Sequence, residues 1–165
     1  MHILIRSTLH TLKKTKILLN QIDNSHLCNK TIAPYYSSIG SHIRHILDFY
    51  ECILNEENAF DLTRRKRDAK IETDCKYALI YLQQLENRLL KVDQSRMDRL
   101  VEVVDDLGLG KTKVTYTFEA LIAQANSHTI HHYAIINYIL EGLDLRFNEN
   151  DFGYNPTTPK AINLN

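Results

Sequence analysis

Tryptophan is absent from this chain of 165 residues, and glycine (five), proline (three) and cysteine (three) are scarce. Each shortage removes a class. So little glycine and proline excludes a collagen-like or low-complexity chain and leaves room for long regular elements. Cys28, Cys52 and Cys75 are odd in number and far apart, with no CxxC pair, which suits reduced thiols better than a disulfide framework or a thiolate zinc site. An excess of either charge is missing too. Twenty Lys+Arg against twenty Asp+Glu leave no global field to draw the chain to nucleic acid or an anionic membrane. No apolar run approaches the roughly 20 residues a transmembrane helix needs. The start, Met1 to Arg6, lacks the basic end, long apolar stretch and small-residue cleavage site of a signal peptide. The expected location is the cytoplasm.

What the chain does have is helical periodicity, with enough apolar content for one domain to close its own core. Ile5, Thr8, Leu12, Thr15, Leu19 and Ile22 alternate spacings of three and four and predict a first helix over 2–23, ended by Asp23-Asn24-Ser25. Pro34 is compatible with the start of a second helix, whose stripe runs through Ile39, Ile43, Ile46, Leu47, Tyr50 and Ile53 to about Asn55. Gly40 within it allows close packing or a kink. Residues 56–70 read as a polar connection, and their basic run Arg64 to Arg67 as a solvated face, with anion binding at a pocket mouth as the competing role. Ile71, Cys75, Ala78, Leu82, Leu85, Leu89 and Val92 predict a third helix. The valine-rich Leu100–Val104, then Gly108 and Gly110, then the alternating Lys111–Thr117 predict a small β-hairpin, whose rival is a short helix over 95–107. The last helix runs from about Phe118 to Glu141 and stops at Gly142. Phe147, Phe152 and Tyr154 suggest a tail packed back on the helices. The expected fold class is all-α, an antiparallel four-helix bundle with a small β-hairpin between the third and fourth helices. The bundle domain would span 1–143, and the tail 144–165 would pack on it.

Histidines are an odd choice for an inward helix face. His128 and His132 lie one turn apart, at the centre of the apolar face marked by Leu121, Ala125, Ile135 and Ile139, so both can direct nitrogens at one point. HxxxH spacing alone arises by chance, and the weight comes from burial. The bland reading is a set of satisfied core or boundary histidines. A third ligand should come from the second helix, where His42 and His45 both stand at the edge of the apolar arc and periodicity leaves the choice open. Three imidazoles leave one position free on Zn²⁺, as in catalytic sites, where a water or a thiol could be activated. Ni²⁺ or Fe²⁺ suits the same donors. No HExxH glutamate is present, which argues against a zincin protease. Asp48, one turn from His45, would orient that imidazole. Gln124, one turn ahead of His128, either lines the pocket or sits at its boundary.

With Ser38-Ile39-Gly40-Ser41-His42-Ile43-Arg44-His45-Ile46-Leu47-Asp48 on the second helix and Ser127 to Tyr133 on the last, the chain resembles the DinB/YfiT-like metalloenzyme superfamily of damage-inducible proteins. The resemblance covers roughly residues 1–143. It implies a four-helix bundle whose metal is held by the histidine of a helix-two HxxD motif and by an HxxxH pair on a later helix. Those positions here are His45, His128 and His132, with Asp48 completing the motif and His42 as the alternative to His45. The tryptophan often found ahead of the helix-two motif is missing, and Ser37 stands near its place, which weakens any transfer of substrate preference. Members with assigned activities include S-transferases and isomerases that use low-molecular-weight thiols such as bacillithiol or mycothiol. The expected function is that of a divalent-metal-dependent enzyme of thiol-dependent S-transferase or hydrolase type, with Zn²⁺ favoured. Arg44 or the loop arginines would bind an anion. The alternative is a non-catalytic helical protein for partner binding or dimerisation, with a structural or vestigial metal site. Expected partners are a small-molecule substrate and a second copy of the chain as a homodimer; neither a membrane nor nucleic acid is expected.

Overall fold

Side-chain caps decide where the helices begin. In the computed structural model, which describes residues 1–55, 59–149 and 151–159, α1 spans Ile3–Gln21 and is followed by the one-turn α2, Asn24–Leu27, opened by Asp23 Oδ1 accepting from His26 N–H (2.9 Å). Ser38 Oγ accepts from Ser41 N–H (3.0 Å) and opens α3, Ile39–Asn55, so this helix starts five residues later than Pro34 suggests. Asp74 Oδ1 accepts from Tyr77 N–H (3.0 Å) and opens α4, Cys75–Leu89. The apolar stripe ahead of it, around Ile71, belongs to a separate 3₁₀ turn, Ala69–Glu72. Thr117 Oγ1 accepts from Ala120 N–H (3.2 Å) and opens α5, Phe118–Gly142.

The expected all-α class is corrected by a three-stranded mixed sheet, which makes the architecture mixed α/β. β1, Ala59–Asp61, runs parallel to β2, Leu100–Asp106, with Phe60 opposite Val103. β2 in turn pairs antiparallel with β3, Lys111–Thr117, from Leu100↔Thr117 to Asp106↔Lys111. In β2 the buried Val101 and Val103 alternate with the exposed Leu100 and Glu102, the period that suits β-branched residues on a half-covered sheet. The turn between β2 and β3 holds Gly108 and Gly110 at φ 97° and 103°, with Asp106 Oδ1 accepting from both of their N–H groups. Parts of two expected regions, 56–58 of the polar connection and positions 150 and 160–165 of the tail, lie outside the described residues.

Within the core, α1 packs on α4 and α5, and α3 packs on the same two helices. Gly40 serves close packing: a Cβ there would collide with the Glu72 carbonyl, so its absence lets the 3₁₀ turn lie directly on the first turn of α3. Two hydroxyl pins hold α5. Tyr133 Oη donates to the Thr11 carbonyl of α1 (2.9 Å) and meets Thr15 Oγ1, while Thr129 Oγ1 donates to the Ala125 carbonyl (2.8 Å) and meets Tyr50 Oη of α3 (3.2 Å). Phe152 of the tail is buried and stacks on Tyr133, with ring centroids 4.4 Å apart. Among the described residues, no helix is long and apolar enough to cross a membrane.

Candidate metal centre

Those pins fix which face of α5 is innermost. Thr129 and Tyr133 are fully enclosed and define it, so the face is rotated by one residue from the centre expected at His128 and His132. The reason is partnership: the two hydroxyls find acceptors in the core, whereas the imidazoles find theirs on the shoulder of α5 that faces α3. His45 and His128 are half-buried there, and His132 is the most enclosed of the three.

His45, His128 and His132 come together and can hold a metal ion, each offering one ring nitrogen, all within 4.8 Å of one another. His45 Nε2 lies 2.8 Å from His128 Nε2, and His132 Nε2 lies 3.0 Å from it. Three nitrogens at Zn–N distances near 2.0–2.1 Å in tetrahedral arrangement stand about 3.3 Å apart. The two contacts at His128 are a few tenths of an ångström shorter than that separation, so the rings there would have to part slightly to admit the ion. His42 does not join the three. Its Nδ1 faces His132 Nδ1 at 2.8 Å, and its Nε2 lies 2.8 Å from Ser37 Oγ, which makes a chain from Ser37 through His42 to the far side of the His132 ring.

The electrostatics favour neutral donors. Burial, followed by the positive charge of Arg65, pushes His45 down to about 4. Burial again leads for His128, with Arg65 and His131 adding to it, and for His132, where the neighbouring imidazoles His128 and His45 press the value furthest down. At neutral pH all three are uncharged imidazoles with lone pairs free to bind a cation.

The remaining candidates sit around this cluster. Asp48 is buried, and its Oδ2 accepts from Arg44 Nη1 (2.6 Å), so this oxygen goes to Arg44; burial raises its pKa even though Arg44 pulls the other way. Arg44 also donates through Nε to Glu72 Oε1, which places the guanidinium between two carboxylates. Among the described residues, Asp48 Oδ1 and Gln124 Oε1 are buried with no hydrogen-bond partner. Phe49, which the sequence pattern did not single out, meets His128 edge-on at 5.4 Å. Arg65 was hidden within a basic run read as solvated, yet it rests over Phe49 with Cζ 5.5 Å from the ring centroid. Beyond His42, a cavity of about 780 Å³ is walled by Ile32, Pro34, Tyr35, Ile135 and Tyr138, with Ser37 and His42 as polar groups in its lining. No protein-family model and no curated protein matches the chain.

Proposed function

We propose that this chain binds a divalent metal ion through His45, His128 and His132 and is a metal-dependent enzyme that acts on a small molecule by thiol-dependent transfer or by hydrolysis. The observation that carries the reading is the gathering of three ring nitrogens from two helices within 4.8 Å of one another, with burial keeping each imidazole neutral. The fit is chemical. Three nitrogen donors with no carboxylate or thiolate among them suit Zn²⁺, and also Ni²⁺ or Fe²⁺, and leave a coordination position for a reactant. The three histidines of the likeness to the DinB/YfiT-like superfamily come together, although Asp48 of the same motif goes to Arg44; the histidines are what supports that reading. When bound, the ion supplies Lewis-acid polarisation and lowers the pKa of a thiol or water at its free position.

The chain's own groups prepare that site. Ligation through Nε2 requires the His132 proton to sit on Nδ1, from which it is donated to His42 Nδ1. His42 then carries its proton on Nε2 and donates it to Ser37 Oγ. The ring of His132 is thereby held in one tautomer and one orientation. Alongside, the apolar walls of the open 780 Å³ cavity can take the body of a small substrate.

Metal content tests the reading. Protein loaded with Zn²⁺ and then desalted should keep about one equivalent, and His132→Ala much less. Less than about 0.1 equivalent in the wild type, with the same value in His132→Ala, would sink it. The enzymatic part is tested by incubating the loaded protein with low-molecular-weight thiols and electrophiles. Turnover that a chelator abolishes and zinc restores is the expected result.

A further inference from the structure

Two arginines approach the three histidines, and they are held differently. Arg44 lies between Asp48 and Glu72 within ion-pair distance of both, so its charge is neutralised inside the protein. Arg65 is half-buried and, among the described residues, makes no hydrogen bond and no ion pair; its guanidinium lies over the face of Phe49, whose ring meets His128. Its neighbour Arg64 is 80% exposed and pairs with Asp61. The charge of Arg65 is felt at His45 and His128, and Asp105 of β2 acts on both Arg65 and His128 through space without pairing with either.

A guanidinium half withdrawn from water and left unpaired is costly to keep. Asp48, already paired with Arg44, also acts on Arg65 through space; beside a centre that would add two positive charges, Asp105 and Asp48 together offset only part of the field. We infer that Arg65 is the anion-binding residue of this centre, and that its substrate carries a carboxylate or phosphate group which the guanidinium fork seats beside the metal position. The inference rests on the reading of the three histidines as a metal centre.

The test uses the whole chain, metal-free and zinc-loaded, titrated with inorganic phosphate and with acetate while the Arg65 Nε–Hε and Phe49 ring resonances are followed by NMR. Saturable binding is expected, tighter with zinc. Arg65→Gln should weaken it by at least about tenfold, Arg65→Lys should recover part of it, and Arg64→Gln should leave it unchanged. Phe49 shifts allow the variants to be compared, and thermal melts confirm that they are folded. Equal affinity in Arg65→Gln, or no saturable shift with either anion, overturns the proposal. The tighter of the two anions identifies the substrate group. A protein that keeps no zinc gives coincident titrations in the two states; that result removes the metal reading, while binding at Arg65 is still decided by the metal-free series.

Discussion

His42 stands behind His132 and never reaches the donor cluster, yet it controls the ring that does. Replacing it by Ala removes the acceptor for His132 Nδ1 and frees the ring to turn. Metal affinity measured by competition with a chromophoric chelator should fall by roughly 10- to 100-fold, the usual consequence of losing a partner that orients a ligand. His42→Gln should lose less, because its side-chain carbonyl can still accept the proton. Unchanged affinity in His42→Ala would leave the imidazole with a packing role only. At this scale the HxxxH pair was legible, because residues four apart on a helix share a face whatever surrounds them. The choice between His42 and His45 was not legible, since both lie at the edge of the same arc and only the position of α5 separates ligand from support. Nor was the role of Asp48: its carboxylate goes to Arg44, which is also held by Glu72, a residue beyond the connection that no local pattern links to α3.

Among the elements, α3 depends on a missing side chain. Gly40→Ala would drive a methyl group into the Glu72 backbone, so the 3₁₀ turn must lift and draw the Glu72 carboxylate away from Arg44. We expect a loss of about 1–3 kcal/mol, the range of overpacking a well-fitted contact, read as a lower urea midpoint at unchanged slope. A midpoint equal to or above that of the wild type would show that the turn relaxes freely. Helix stripes were readable because apolar periodicity survives any arrangement of neighbours, and α1 buries Ile5, Thr8, Leu12, Thr15 and Leu19 from its predicted seam. β1 was not readable. Three residues carry no period, and their pairing with β2 is fixed by a strand some forty positions later in the chain. The rotation of α5 escaped for a related reason: Thr129 and Tyr133 look like boundary residues until Thr11, Thr15 and Tyr50 arrive to bond them.

For the whole molecule, the site ties folding to acidity. His45 and His132 have native values below the ordinary 6.5, so the folded state resists their protonation. The stability they contribute is complete above about pH 6.5 and is lost as the pH falls, towards about 4 for His45 and further still for His132, by at most about 1.4 kcal/mol per pH unit for each group before solvent screening reduces it. Urea midpoints of the metal-free protein should therefore drop across that window, and more steeply than those of His132→Ala; parallel curves would contradict this. The mixed sheet gives the molecule one more property. The segment carrying Arg65 is tethered on one side by β1, whose parallel partner lies beyond α4, and on the other by the 3₁₀ turn that leads into α4. Helix α4 contributes no ligand, but a substitution that shifts its seat would move a cation towards or away from the histidines. Such a change would retune the local potential, and with it anion preference and the readiness of the imidazoles to give up protons, while leaving the spacing of the three nitrogens untouched.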